Sequence, residues 1–272
     1  MTTDRNGTTR TFASATRAAP AGDFDYERNG RGYAALRRPD PRIAAYIHRA
    51  LGDARTVLNV GAGAGSYEPD DRYVVAVEPS AAMRAQRPPD RVPAIDATAE
   101  RLPFDDDSFD TVMATVTIHQ WSDPHTGLQE MRRVSRGVVT ILTFDAPALR
   151  DFWLYDYVPE VIEVEQQRFP AISWIVHTLG GSAEVISVPI PHDCTDGFGE
   201  AYYARPEALL DADVRAATSG WMLADPDAVR RGVDKLAADL SSGAWDERYA
   251  ALRQQPERIG AARLIIARPE AR

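Results

Sequence analysis

The stretch TVLNVGAGAGSYEP, from Thr56 to Pro69, decides the fold. Val57, Leu58 and Val60 form a short apolar run of the kind that makes a buried parallel strand. The run breaks into Gly61-Ala62-Gly63-Ala64-Gly65, where residues without a Cβ tolerate positive φ and let the backbone approach a ligand. A strand turning through such a loop into a helix aims backbone N–H groups past the sheet edge, a cradle for the polar part of a nucleotide-like cofactor.

The next apolar run, Tyr73 to Val77, ends in Glu78. An acidic residue at the tip of the second strand is positioned to accept hydrogen bonds from both ribose hydroxyls. The loop spacing is GxGxG; a dinucleotide fingerprint wants its third glycine where Ser66 stands. Lys235 is the only lysine, so a Tyr-x-x-x-Lys proton relay is excluded. Both details disfavour a nicotinamide oxidoreductase.

Four segments then follow in a fixed order: LNVGAGAGSYEP, AVEPSAAMRAQRP, DATAERLPFDDDSFDTVMA and IHQWSDP. Together they resemble the successive motifs of the class I S-adenosylmethionine-dependent methyltransferases, and within them the small-molecule methyltransferase-11 branch. The resemblance spans Tyr33 to Asp145; beyond Asp145 the chain is similar to an actinobacterial subgroup of that branch, which brings no substrate with it. It implies S-adenosylmethionine as cofactor, cradled by Gly61, Ala62, Gly63 and Gly65, with Glu78 and Pro79 at the ribose and Met83 and Thr115 close by. It also implies that Asp96 accepts from the adenine amino group while the Ala97 N–H donates to the ring, a carboxylate suiting a group that offers only donors; capping the following turn is the alternative for Asp96. Tyr33 or Arg37 would meet the methionine end, where a guanidinium pairs with a carboxylate, or else belong to a surface turn. Asn59 occupies a position where the family pattern has an acid, which removes a charge from the ammonium end.

The chain has 272 residues, enough for one elaborated domain or a domain plus a cap. Its net charge of −9, with 31 scattered basic residues, disfavours an extended phosphate-binding surface and hence nucleic acid. Cys194 is the single cysteine, which excludes an intrachain disulfide and suits a reducing compartment. No apolar run approaches the ~18 residues of a membrane span, and the first twenty residues lack the apolar core of a secretory signal. A cytoplasmic monomer or homodimer acting on a small molecule, without membrane or nucleic acid as partner, is the expectation.

Residues 1–23 read as a flexible tail and 24–145 as the cofactor-binding core. Pro41, Ile43, Ile47 and Leu51, closed by Gly52, have the spacing of a helix. Strands are expected at Val92–Ile95, Asp110–Thr115 and Val138–Phe144, with a helix carrying Leu128, Met131 and Val134 between the last two. Asp105-Asp106-Asp107 reads as a solvated turn rather than a metal site. Thr117-Ile118-His119-Gln120-Trp121 follows the fourth strand at the sheet edge where open α/β folds do their chemistry. His119 is therefore the candidate general base, or a histidine that shapes the pocket.

Residues 146–181, rich in aromatics, are expected to form a helical cap over the acceptor site. Trp153 and Tyr157 of this cap, with His119, Trp121 and His192, are the candidate acceptor-binding residues. His192 and Cys194 alternate on one face, but zinc needs two further convergent ligands, and no metal is expected. Residues 182–272 should complete the sheet with Ala183–Pro189 and Ala262–Ala267, the last strand antiparallel, around further helices. The expected fold is a doubly wound, mostly parallel, seven-stranded α/β sheet with a helical cap insertion. The expected activity is methyl transfer to a small, partly apolar or aromatic acceptor; the alternative is a non-catalytic module that binds S-adenosylmethionine or its demethylated product.

Overall fold

The structure, a computed structural model, describes residues 24–25 and 33–270; the tail 1–23 and the side chain of Tyr33 lie outside the described residues. Seven strands form one sheet: β1 (Thr56–Val60), β2 (Tyr73–Val77), β3 (Ala94–Ile95), β4 (Thr111–Thr115), β5 (Val139–Phe144), β6 (Ser182–Pro191) and β7 (Glu257–Arg268). Their order is β3-β2-β1-β4-β5-β7-β6. The first five run parallel, and β7 pairs antiparallel with both β5 and β6. The order reverses beside β1, which creates the crevice where ligands bind in open α/β sheets.

Side-chain alternation divides the core in two. Val57, Met113, Leu142 and Leu264 face one apolar cluster, whereas Leu58, Val112, Ile141 and Ile265 face the other. The first face is covered by a helix, Pro41–Ala50, through Ile43 and Ile47. Asp40 caps that helix by accepting from the Arg42 N–H at 2.9 Å, and Pro41 opens it. The second face is covered by a helix, Pro124–Val134, through Leu128, Met131 and Val134.

In chain order the helices are α1 (Tyr33–Leu36), α2 (Pro41–Ala50), α3 (Ala81–Arg84), α4 (Pro124–Val134), α5 (Pro159–Arg168), α6 (Ile172–Leu179), α7 (Ala212–Ala216), α8 (Ser219–Leu223), α9 (Pro226–Ser242) and α10 (Ala244–Arg253). Among the described residues no helix is long and apolar enough to cross a membrane.

Two expectations need correction. No helix follows the glycine loop: residues 61–72 run to β2 through turns and bends. Tyr67 takes a left-handed conformation (φ 64°) and is followed closely by Pro69, which breaks any helical start. The cap boundary also shifts. α6, expected within the cap, buries Ile175 and Leu179 against the second sheet face with α4 and β7. The roof over the strand ends is built instead from residues 146–168 together with a segment between β6 and β7 that includes residues 198–221.

Candidate functional site

Three glycines shape the loop after β1, all at positive φ: Gly61 at 66°, Gly63 at 51° and Gly65 at 93°. A Cβ on Gly61 would stand 2.2 Å from Thr117 Oγ1, so only glycine lets the loop close against the end of β4. The Ala62 N–H donates to the Val77 carbonyl at 2.9 Å and knits the loop to β2. Glu78, buried at the tip of β2, accepts from the Gly63 N–H at 2.8 Å and from the Ser80 N–H at 2.9 Å. Burial raises its pKa, opposed by those two backbone donors. Each carboxylate oxygen keeps acceptor capacity beyond the bond it already makes. Ser80 also caps α3, holding Met83 so that its Cε lies 3.4 Å from where a Cβ on Gly63 would be.

Beneath the loop lies a buried network that sequence reading missed. Arg87 Nη2 reaches both Glu68 oxygens, at 2.9 and 2.8 Å, and its Nη1 lies 3.3 Å from the Gly63 carbonyl. Asn59 is fully buried and donates its Nδ2 to Glu68 Oε1 at 3.0 Å. Glu68 thus brings a buried carboxylate beside Asn59, and its charge is matched by Arg87. Asn59 Oδ1 has no hydrogen-bond partner among the described residues.

Asp96 lies exposed beyond the end of β3 and accepts from Arg84 Nη2 at 3.1 Å, while Arg84 Nη1 holds the carbonyls of Glu78 and Pro79. Ala97, half-buried, packs on the second core cluster. Tyr33 opens α1, and Arg37 follows it into a bridge with Asp196, its Nε 2.6 Å from Asp196 Oδ1. Tyr67 Oη donates to the other Asp196 oxygen at 2.8 Å.

Thr115 ends β4, and Val116 follows in a left-handed conformation, φ 50°. A β-branched residue rarely adopts it, and such strain concentrates at functional sites. The Val116 N–H donates to the Leu142 carbonyl at 2.8 Å, which pins the turn. A short 3-10 turn, Ile118–Gln120, then carries His119. The imidazole stands 4.4 Å from the Phe169 ring, and its Nδ1 is buried without a partner among the described residues. Burial, with Arg168 and Arg37 nearby, pushes the His119 pKa well below its ordinary value. The ring is neutral.

Val116 and His119 line a cavity whose apolar wall includes Phe144, Phe152, Phe169 and Phe198. Polar groups in the wall are Arg37, Glu165, Glu200, Thr218 and Ser219. Four expected acceptor contacts lie elsewhere. Trp153 is buried among Phe152, Tyr157 and Trp245 and donates to the Tyr203 carbonyl at 2.9 Å. Tyr157 turns its hydroxyl to Asp239, at 2.9 Å. Trp121 packs over Gly127, and the His192 ring lies edge-on to Tyr203. Trp153 is held away from the cavity by Tyr157, Trp245 and Tyr249, whereas its neighbours Phe152 and Leu154 line it. Cys194 is buried, with its thiol pushed up to about 12 by desolvation, which disfavours the nucleophilic thiolate.

A methyltransferase domain family model matches residues 58–143. A protein of Anabaena variabilis, of known structure and named as a methyltransferase from an antibiotic biosynthesis pathway, is 35% identical, with a TM-score of 0.79 over 85% of this chain and 98% of that one. The demethylmenaquinone methyltransferase of Mycolicibacterium paratuberculosis is 32% identical over 104 residues, 36% of this chain and 45% of that protein. That of Clavibacter sepedonicus is 28% identical over 136 residues, 44% and 56% of the two chains. The chain spans about half the length of these curated relatives. The loop, the Glu78 carboxylate and the turn after β4 fit the cofactor of this family, and the chain belongs to the class I S-adenosylmethionine-dependent methyltransferases of the methyltransferase-11 type.

Proposed function

We propose that the protein transfers a methyl group from S-adenosylmethionine to a small, partly apolar acceptor bearing a hydroxyl or amine. One observation carries the reading: a loop of three left-handed glycines, braced on Glu78, adjoins through Val116 a cavity walled by aromatics and a neutral histidine. When bound, the cofactor supplies an electrophilic methyl on a sulfonium. The chain's tasks are to hold the acceptor in line and to exclude water.

In this reading the backbone of Gly61, Ala62, Gly63 and Gly65, with Glu78, Pro79 and Met83, holds the ribose and methionine portions, and Asp96 and Ala97 hold the adenine. For Asp96 to accept from an amino group, Arg84 must share or release it. Tyr33 and Arg37 serve the carboxylate end. Thr115, with Thr117, supports the loop from the end of β4. His119 Nδ1, neutral and without a partner among the described residues, takes the acceptor's proton. Its depressed pKa suits acceptors that release a proton readily, such as phenols.

The demethylmenaquinone named in the curated relatives is not carried over to this chain. The family match ends at residue 143, and most of the cavity wall comes after it.

Calorimetric titration with S-adenosylmethionine and S-adenosylhomocysteine, with a nicotinamide dinucleotide as control, tests the reading. Binding of the first two alone is expected, and binding of the dinucleotide alone would overturn it. Glu78→Ala should weaken cofactor affinity by about 1–3 kcal/mol, the scale of charge-assisted hydrogen bonds. Cofactor binding without methyl transfer to any phenol or amine would favour the non-catalytic module.

A further inference from the structure

Glu200 lines the far wall of the acceptor cavity, in a 3-10 turn, Gly199–Tyr202, between β6 and β7. It is 3% exposed. One oxygen has a structural task. The register of β6 on β7 slips between Ser187 and Pro189, so that Gly260, Ala261 and Ala262 stand opposite Val188 alone. Glu200 Oε2 accepts the Ala261 N–H of this bulge at 2.8 Å. The other oxygen, Oε1, is buried with no hydrogen-bond partner among the described residues. Gly260 makes room for it, since a Cβ there would lie 2.4 Å from Oε1.

An amide or hydroxyl side chain could serve the bulge as well. A carboxylate that leaves one oxygen unpartnered incurs the desolvation cost of that oxygen. Other charges in the cavity wall are matched: Glu165 faces Arg168 at 3.5 Å, and Arg37 is paired with Asp196.

Strand order gives the spacing. Val116 and His119 follow β4, Glu200 sits against β7, and β5 runs between them. Two strand spacings amount to about 10 Å. The span is paved by aromatic rings: Phe169 to Phe144 and Phe144 to Phe198 are each 5.3 Å between centroids.

We propose that Glu200 is a specificity-determining anchor: through Oε1 it binds a second hydrogen-bond donor, a hydroxyl or N–H, on an acceptor whose flat apolar body crosses Phe144 and whose methylated atom lies about 10 Å away, beside His119. This rests on the methyl-transfer reading of the same cavity and adds the class of acceptor: an elongated aromatic with a donor at each end.

The test uses the full chain saturated with S-adenosylhomocysteine and two probes, biphenyl with a para hydroxyl on each ring and its dimethyl ether. Affinities are measured by calorimetry at about pH 8, where the Glu200 carboxyl is ionised, for the wild type and for Glu200→Gln. In the variant the amide oxygen keeps the Ala261 bond, so the bulge survives, while the amide nitrogen turns a donor toward the cavity. The diol-to-ether preference should fall by about tenfold or more in the variant, the scale of a hydrogen bond to a charged group. The His119 end contributes equally to both proteins and cancels. An unchanged preference, or a wild type that does not bind the diol, overturns the anchor. S-adenosylhomocysteine affinity, measured beforehand in its own titration of each protein, separates the failures: no binding to the wild type would count against the methyltransferase reading itself.

Discussion

Glu78 and Glu200 are both buried carboxylates with raised pKa values, yet their surroundings set them to different tasks. Glu78 has two backbone N–H donors, which oppose the upward push of burial on its carboxyl. Glu200 has one, with Arg258 and Arg263 on β7 and Asp151 acting at longer range, and burial pushes it up to about 7. This has a consequence for stability with a definite sign. Between about pH 4.5 and about pH 7 the unfolded chain has lost the Glu200 proton while the folded chain retains it. Stability therefore falls as pH rises through that window, on the order of 3 kcal/mol in all, and is flat in this term above it. Urea unfolding of wild type and Glu200→Gln at about pH 5 and about pH 8 should show the wild type losing stability relative to the variant as pH rises, the His119 contribution being common to both. His119 acts in the opposite sense, because the unfolded imidazole takes up a proton that the buried ring refuses, so its contribution is lost as pH falls through about 6.5. His119→Ala should lower turnover far more than cofactor affinity, read by comparing kcat with S-adenosylhomocysteine titration; equal losses would make His119 structural. Gly63→Val should abolish cofactor binding while the protein stays folded by circular dichroism, because φ 51° disfavours a β-branched residue and the added carbons fill the cradle beside Met83.

At the scale of elements, the loop after β1 lacks the helix that in many α/β crevices lends its dipole to a ligand. A buried ion pair stands in that space. Arg87 and Glu68 are 4% and 1% exposed, and Arg87 also touches the Gly63 carbonyl. The pair fixes the loop from below without adding net charge to the crevice. Arg87→Met should cost about 3–5 kcal/mol in urea unfolding, since it strands the Glu68 charge in the interior. The double variant Glu68→Gln, Arg87→Met should regain most of that loss, because it removes both charges together. Recovery of stability without recovery of cofactor affinity would assign Arg87 a positioning role toward the loop.

For the whole molecule, the cavity beside His119, the proposed acceptor site, is a joint product of two segments distant in the chain. The segment after β5 supplies Phe152, Glu165 and Phe169; the segment between β6 and β7 supplies Phe198, Glu200 and Trp221. They are locked together by Trp153, which meets Trp245 edge-on at 5.5 Å, and Trp245 is completely buried. Trp245→Ala should lower stability by about 3–5 kcal/mol through the cavity it leaves. S-adenosylhomocysteine affinity should survive below the melting transition, because the cofactor loop rests on β1, β2 and β4.

The sequence by itself determined the sheet, the glycine loop, Glu78 and the family, since these depend on strand periodicity and on short motifs whose partners lie close in the chain. It also marked Asn59 as a departure and placed His119 just beyond the carboxyl end of β4. Only the tertiary structure decided which aromatics face the cavity beside His119. Phe152 and Trp153 are neighbours in sequence, yet Phe152 lines the cavity while Trp153 packs on Trp245 and Tyr249 away from it. Likewise Glu68 and Arg87 are separated by 19 positions, and Glu200 meets Ala261 across 61, distances over which no local pattern signals a contact. Local propensity sets the direction of a strand; which side chain ends in a cavity is set by what packs against it from elsewhere in the chain.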